Sequence, residues 1–281
     1  MRAVVSVLLA LAGLLPIALA GQSEIRVSAE AETEIRGTFN RLRTEFELPP
    51  VAANTGLDAW ARLNSQARAI ARKDAPATPA LRSLPEAAAA AGLYFTRTTT
   101  MELMLPILDL TFLRESIMTE STRAGGRLWP EMDIGGIGVV RDERGRLYVT
   151  LALLRSLVPK AADSIRSELS ARLDQAREKS GRKPLAWNKD YQAVAQEMAE
   201  GGAPGKTALA RLKKAEKAAS ITILTTEPGD PKCLPSKLLE ASFLWSGLGV
   251  WSGRLPEFPG GCYRLVYVYG TKRTDESHII F

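Results

Sequence analysis

Histidine is almost absent from this chain of 281 residues, which contains a single one, His278. It stands among the last four residues, where we expect a frayed and solvent-exposed side chain. Histidine-based metal sites and Cys-His or Ser-His-Asp catalysts need an imidazole at a defined place. The sequence therefore leaves only carboxylate-based chemistry open.

Other short functional motifs are missing as well. The chain has no Gly-rich phosphate loop, no metalloprotease His pair and no Gly-x-Ser-x-Gly turn. The stretch GGIG, residues 135–138, is no nucleotide fingerprint, because a strand and not a helix is expected after it. The net charge of +6 is mild for this length and indicates no particular polyanion. We expect neither a nucleic-acid partner nor a cofactor.

The N-terminus has the pattern of an export signal. Arg2 precedes an apolar run from Ala3 to Ala20, and the polar stretch GQSE follows. The small residues at the end of the run predict a signal peptide, residues 1–20, that is cleaved between Ala20 and Gly21. An uncleaved membrane anchor is the alternative. Either reading predicts an exported protein, and we expect a secreted or periplasmic one.

Cysteine is scarce too, since the chain has only Cys233 and Cys262. Disulfides persist in the compartments that an export signal leads to. We therefore expect a bridge between these two residues, which would stabilise the fold by about 3 to 4 kcal/mol on the chain-entropy estimate. Two buried free thiols are the alternative.

Beyond residue 20 no apolar segment is long enough for a membrane span. The most apolar one, MELMLPILDLTFL from Met101 to Leu113, is short and contains Glu102, Pro106 and Asp109. We expect it to form a buried element of the fold.

Two stretches of the chain share one pattern of helices and turns. In the first, apolar residues at helical spacing fill positions 31–46, two prolines follow, and Asn54 is placed to cap the next helix. The same order returns 134 residues later. This shift pairs Arg43 with Arg177, Pro50 with Pro184, and Asn54 with Asn188. Turn, cap and inner-face positions that match in this way indicate a duplicated unit.

Each half also ends in a β-hairpin pattern. Residues 135–153 form two β-rich runs joined by a polar turn at Gly145, and residues 247–270 have the same order with a longer Pro/Gly-rich connection. The length of the chain fits two domains. We predict that they cover residues 21–158 and 162–281.

These motifs resemble those of the CAP superfamily, which comprises the cysteine-rich secretory, antigen 5 and pathogenesis-related 1 proteins and their bacterial secreted relatives. The strongest match is REKSGRKPLAWNKDYQAVAQEMAEG, with Pro184, Trp187 and Asn188 as scaffold positions. A weaker version, RTEFELPPVAANTGLDAWARLNSQARAIA, contains Pro50 and Asn54. The segment IGGIGVVRDERGRLYVT is similar to the final hairpin of the family. The resemblance implies an α+β fold of two tandem three-layer α-β-α sandwiches, and we expect Trp187 to pack in the core.

The resemblance also implies an open cleft, which in the family usually holds two His and two acidic residues and can take a divalent metal. This chain departs from that pattern in both units. Arg123 stands near the place of the usual His in the first unit, and the short segment LPSKLLEASFLW replaces the equivalent region in the second. We therefore expect no metal site. The remaining cleft candidates are Glu102, Arg123 and Glu240.

The preferred hypothesis is an exported, non-catalytic CAP-like protein that acts as a binding or structural module in the cell envelope or extracellular space. The scaffold motifs of the family are intact in this chain, whereas its usual histidines are missing. This combination favours the hypothesis of a non-catalytic module. Its ligand would be a protein, a glycan or a lipid. One alternative is a cell-envelope hydrolase, directed at peptides or glycans, that uses carboxylates such as Glu102 or Glu240. A lipid carrier is another alternative, since some relatives hold sterols or fatty acids.

Overall fold

The computed structural model of the protein describes residues 25–71, 81–201, 205–212, 218–240 and 242–271. His278 and the expected cleavage site at Ala20 and Gly21 lie outside these residues. Two β-sheets with helices on their faces make up the fold. The prediction of an α+β fold is confirmed, with two sheets that each carry helices.

The first unit, residues 25–156, is built around one sheet of five strands. Its elements are β1 (Arg26–Val27), α1 (Ala29–Glu45), β2 (Ala52–Ala53), α2 (Thr55–Ala71), α3 (Leu84–Ala90), β3 (Phe95–Leu105), α4 (Leu110–Arg123), β4 (Ile134–Arg141) and β5 (Leu147–Ser156). The strand order is β1-β4-β5-β3, and β2 pairs with β4 in parallel. Side chains of α1 and α4 form the main core with one face of the sheet, while α2 covers the other face.

The second unit, residues 162–271, repeats this order around a sheet of four strands. Its elements are α5 (Ala162–Lys179), β6 (Ala186–Trp187), α6 (Lys189–Glu200), α7 (Gly205–Leu209), β7 (Ala218–Thr225), two 3-10 helices (Pro231–Cys233 and Ser236–Leu239), β8 (Trp245–Leu255) and β9 (Phe258–Gly270). The strand order is β6-β8-β9-β7. The 3-10 helices stand where the first unit has α4. The domain boundaries at residues 158 and 162 stay a prediction.

A buried arginine near the C-terminus of the first helix joins several segments in each unit. Arg43 is fully buried and donates hydrogen bonds to the carbonyl oxygens of Pro49, Leu128, Trp129 and Met132. Burial lowers the pKa of its guanidinium, and the charges of nearby carboxylates act against that shift. The four carbonyl acceptors compensate for the loss of water around the cation.

Arg177 makes the equivalent contacts in the second unit. It donates to the carbonyl oxygens of Lys183, Leu238, Glu240 and Phe243, and it is also buried. Burial lowers the pKa of this guanidinium as well. The first acceptor of each arginine lies six residues further along the chain, in the turn after the helix. The two units therefore share a buried polar connection as well as an order of elements.

Asparagine caps begin the second helix of each unit. The side-chain oxygen of Asn54 accepts a hydrogen bond from the backbone amide of Leu57, at 3.1 Å. The oxygen of Asn188 accepts from the amides of Asp190 and Tyr191 at 2.9 and 3.3 Å. Pro50 and Pro184 stand in the turns that precede these caps. Such caps satisfy amides that the first helical turn leaves without an acceptor.

Glycines let the same helices rest directly on a strand. A Cβ atom on Gly138 in β4 would lie 2.0 Å from the backbone nitrogen of Arg62 in α2, and one on Gly249 in β8 would lie 2.0 Å from the carbonyl oxygen of Ala195 in α6. Gly136 and Gly247, two residues earlier on each strand, make the same kind of contact. The GGIG stretch thus serves close packing between helix and strand.

Side chains of α6 close the outer edge of β8. Gln192 accepts from the amide of Leu248 at 3.1 Å and donates to its carbonyl at 2.7 Å. Gln196 makes the same pair of bonds with Val250, both at 3.1 Å. Each glutamine amide replaces the peptide group that a further strand would supply, which removes an exposed edge.

The two units contact each other through the β8–β9 hairpin. Arg254 donates to the carbonyl oxygens of Ala89 and Leu93, at 2.8 and 3.0 Å, and lies over the ring of Tyr94. Between the units, the hydroxyl of Tyr263 accepts from the amide of Lys160 at 2.7 Å. These bonds attach the second hairpin to α3 and to the start of β3.

The predicted disulfide is wrong, because both cysteines are free and buried. Cys233 belongs to the core that contains Tyr263, Leu265 and Tyr267 of β9. Cys262 alternates with those residues along β9, so its side chain faces the opposite side of the sheet, toward α6. The sheet separates the two sulfur atoms, and the alternative of two buried thiols is the correct one.

The apolar segment from Met101 to Leu113 is only partly buried, which corrects our expectation for it. Met101, Leu103 and Leu105 of β3 are buried, as is Leu113 of α4. Leu108 is partly buried against the same core, whereas the side chains of Met104, Ile107, Leu110 and Phe112 are exposed. Within the part of the chain that the structure describes, no helix has the length and apolar character of a membrane span.

Replacing a buried arginine tests its role in each unit. We expect Arg43→Met and Arg177→Met each to lower the free energy of unfolding by about 3 to 5 kcal/mol, because four carbonyl oxygens lose their donor. Urea unfolding followed by circular dichroism measures the change. Arg41→Met, at an exposed arginine of α1, is the control and should change stability by less than about 0.5 kcal/mol. Equal effects at positions 41 and 43 would contradict this role.

An added methyl group should lower stability at the strand glycines that touch a helix and raise stability at a glycine within α1. Gly138→Ala and Gly249→Ala should each destabilise the protein by about 3 kcal/mol, since the new Cβ meets backbone that cannot move without shifting a helix. Gly37→Ala is the matched control, because its Cβ would meet only the end of Arg41, at 3.7 Å. It should stabilise α1 by about 0.5 to 1 kcal/mol. Thermal unfolding of the three variants decides the point.

The free cysteines predict a distinct reactivity with thiol reagents. Burial raises the pKa of both thiols, so they stay protonated and react slowly at neutral pH in the folded protein. Without any reductant, titration with Ellman's reagent should find two thiols per chain after unfolding in urea. A chain that shows none after unfolding would carry a bridge and contradict the structure.

Candidate functional site

A cleft of about 510 Å³ lies on the first unit. It brings together two of the three cleft candidates from the sequence, Glu102 of β3 and Arg123 of α4. Arg68 of α2, Glu120 of α4 and Trp129 of the α4–β4 loop also line it. The cleft therefore has charged walls of both signs and one aromatic ring.

The wall on the α2 side is an ion pair supported by hydrogen bonds. Glu102 Oε2 lies 3.2 Å from Arg68 Nε, and its other oxygen accepts from the side-chain amide of Asn64 at 2.8 Å. Arg68 also donates to the carbonyl oxygen of Val149 at 2.9 Å. These contacts hold both charged groups in fixed positions on the surface of the sheet.

The wall on the α4 side is a second ion pair. Glu120 Oε2 lies 3.2 Å from Arg123 Nε, one helical turn apart. The side chain of Arg123 is 81% exposed, so this pair is screened by water and is free to exchange partners. Arg123 can therefore reach a bound molecule without a large loss of stability.

Strand β3 lies between the two walls and ends the sheet on that side. Glu102 points toward α2, while its neighbours Met101 and Leu103 belong to the core beneath α4. Residues from both faces of β3 line the same cleft, so the cleft crosses the outer edge of this strand. Of the described strands, only β5 pairs with β3. The cleft lies beside this edge at Thr100, Met101 and Glu102.

The loop that carries Trp129 has an unusual backbone. Arg127, Leu128 and Trp129 have φ angles of 26, 66 and 50°, a region that favours glycine. Arg43 holds the carbonyl oxygens of Leu128 and Trp129, and the hydroxyl of Ser121 accepts from the amide of Leu128. The indole ring lies over Gly126, where a Cβ would be 2.4 Å from its nitrogen. Surrounding bonds thus fix a strained loop at the cleft.

Glu240, the third cleft candidate, lies elsewhere. It is an exposed residue of the second unit, and its backbone carbonyl accepts a hydrogen bond from Arg177 at 3.0 Å. It borders neither the cleft of the first unit nor the groove between α5 and α6 in the second. The structure therefore separates it from Glu102 and Arg123.

The second unit has a groove of about 620 Å³ between α5 and α6. Trp187 lines it and is half-buried, so our expectation of a core residue is met only in part: the ring packs against the core beneath α5 and also borders this groove. Burial raises the pKa of Asp174 on α5, with Glu178 acting in the same direction and the amide of Leu185 against it. Gln192 and Gln196, which also line the groove, are already engaged with β8.

Sequence reasoning missed Arg68, Glu120 and Trp129 as cleft residues. Arg68 and Glu120 are partly buried residues of ordinary helices, where charged residues are common and carry no signal. Trp129 follows the stretch GGRL, residues 125–128, in a segment without periodicity. An aromatic residue in an irregular loop was the one sign that pointed to the cleft.

Among the described residues, no three or more His, Cys, Asp and Glu side chains form a group that could hold a metal ion. In the cleft, Glu102 and Glu120 are each paired with an arginine instead.

Comparisons with known proteins give similarities in structure only. No protein-family model matches the chain, and no curated protein matches it. An outer surface protein from Borrelia burgdorferi is similar, with 10% identity and a TM-score of 0.39, over 48% of this chain and 99% of that protein.

Two further solved structures are similar to the chain. One is a cysteine-rich secretory protein from Staphylococcus aureus subsp. aureus Mu50, with 14% identity and a TM-score of 0.30 over 48% of this chain and 55% of that one. The other is an extracellular protein with an SCP domain from Bacillus anthracis str. Ames, with 12% identity and a TM-score of 0.30 over 71% and 75%.

Proposed function

We propose that the protein is an exported CAP-like binding module that holds an extended peptide in the cleft of its first unit. The export pattern of residues 1–20 and the scaffold motifs around Asn54 and Asn188 support the compartment and the family. In this proposal two domains, residues 21–158 and 162–281, share the scaffold. The single observation that carries the ligand class is the position of the cleft on the outer edge of β3.

The open edge of β3 offers backbone donors and acceptors to a partner strand. The strand runs over eleven residues, from Phe95 to Leu105, and its other edge pairs with β5 continuously from Arg97 to Leu105. An extended peptide that lies beside it can continue the sheet through main-chain hydrogen bonds. About six peptide residues would cover roughly 20 Å of this edge.

The charged walls fit the side chains of such a peptide. Successive side chains of a strand point to opposite faces of the sheet. One set would meet the pair of Arg68 and Glu102, and the other set would meet Glu120 and Arg123. Trp129 adds an apolar surface. The polar lining does not suit a sterol or an acyl chain, which disfavours the lipid carrier.

The same walls favour binding over catalysis. The two carboxylates of the cleft, those of Glu102 and Glu120, each form an ion pair with an arginine. A nucleophile with an adjacent base is not among the residues that line the cleft.

The test uses the chain from Gly21 onward and a randomised eight-residue peptide library displayed on phage. We expect selected peptides to bind with micromolar affinity in fluorescence anisotropy, and Arg123→Ala combined with Glu102→Gln to weaken binding at least tenfold. Arg211→Ala, at an arginine of the second unit that pairs with Glu197, is the matched control and should bind as the parent does.

Two outcomes would contradict the proposal. Selected peptides whose binding is unaffected by the double replacement in the cleft would place the site elsewhere. Cleavage of a selected peptide, detected by mass spectrometry and abolished by Glu102→Gln, would establish the carboxylate hydrolase in place of the binding module.

A further inference from the structure

Exposed apolar side chains concentrate in one short segment of the first unit. Between Met104 and Phe112 the side chains of Met104, Ile107, Leu110 and Phe112 are 38%, 65%, 49% and 43% exposed. The segment contains the end of β3, the connection to α4 and the first turn of that helix. Apolar residues that stand singly on a surface are ordinary, but four within nine residues form a patch that indicates a partner.

The patch lies at the end of the sheet where the chain enters the fold. Leu105, the last residue of β3, pairs with Leu147, and Leu147 pairs with Arg141 at the end of β4. Arg141 pairs in turn with Arg26 of β1. The β3–α4 connection, the β4–β5 turn and the start of β1 therefore share one end of the first unit, which we call the apolar end.

The sequence before β1 identifies what this end faces. The apolar run from Ala3 to Ala20 is separated from Ile25 by only four residues, 21–24. Five residue steps span at most about 17 Å. As long as the run resides in a membrane, during export or as a retained anchor, the apolar end is held within that distance of the bilayer.

The charges at this end are compatible with a lipid surface. Arg26, Arg141 and Arg144 are exposed there, together with Glu143. Asp142 is buried and bound to Arg146 at 2.7 Å, so this pair contributes no net charge. Asp109 caps α4, where it accepts from the amide of Phe112 at 2.7 Å, and Glu115 is exposed about one turn further along that helix. Basic side chains beside exposed apolar ones favour contact with anionic headgroups.

We propose that the apolar end of the first unit rests on the surface of an anionic lipid bilayer, with Ile107, Leu110 and Phe112 inserted at the boundary between headgroups and acyl chains. The contact is peripheral and does not depend on retention of residues 1–20. It leaves the cleft at β3 accessible, because Glu120, Arg123 and Trp129 lie at the C-terminal side of α4, away from the first turn of that helix.

The experiment measures binding of the chain that starts at Gly21 to sonicated vesicles by co-sedimentation. Vesicles of phosphatidylcholine with a quarter phosphatidylglycerol are compared with pure phosphatidylcholine. We expect partition into the pellet with the anionic vesicles and at least a tenfold lower partition coefficient for the double variant Ile107→Ser with Phe112→Ser. The matched control replaces two exposed apolar residues elsewhere, Val158→Ser with Leu244→Ser, and should partition within twofold of the parent.

A second readout remains decisive if the double variant is less stable. Ile107→Trp adds an indole at the proposed depth to the five tryptophans of the parent. The difference between the emission spectra of variant and parent should shift to shorter wavelength when anionic vesicles are added. The proposal is overturned if the parent stays in the supernatant with both vesicle types, if the double variant partitions as the parent does, or if the difference spectrum of Ile107→Trp does not shift. Peptide affinity at the cleft is measured without vesicles, so the two proposals can fail independently.

Discussion

In each unit, a buried arginine near the end of the first long helix connects several segments of the fold. In the first unit, Arg43 links the end of α1 to the turn at Pro49 and to the loop of Leu128, Trp129 and Met132. Segments far apart in sequence are thus connected by one buried cation. The strained backbone at Trp129 persists because these bonds over-determine it. The shape of the cleft therefore depends on a residue that does not line it.

The pattern of local elements could be predicted from the sequence because local residues determine it. Helical stripes, the two asparagine caps and the hairpin turn at Gly145 are set by neighbours a few positions away. The match of Arg43 with Arg177 was visible as well, although only the structure shows that both are buried and bound to carbonyl oxygens. The α+β class and the presence of two units followed from the order of these elements.

The cleft and the cysteines could not be predicted because they depend on how distant elements meet. Glu102 and Arg123 were singled out separately, but the pairing of β3 at the end of the sheet is what makes them walls of one cleft. A disulfide was predicted because the chain has only two cysteines and an export signal. Alternation along β9 instead places Cys262 on the face away from Cys233. The apolar composition of the segment after Met101 also led to a wrong prediction of burial. Burial there follows the two-residue period of a strand and ends where the strand ends.

The contact of α2 with Gly138, and of α6 with Gly247 and Gly249, is made by backbone atoms of the helix. Protein cores ordinarily accommodate substitutions because neighbouring side chains change rotamer or size to compensate. Backbone atoms cannot do so, and a second substitution therefore cannot restore the fit at these three glycines. On the opposite face of each sheet the contacts are made by side chains, and there the first unit packs α4 while the second packs two short 3-10 helices. Compensating substitutions are possible on that face.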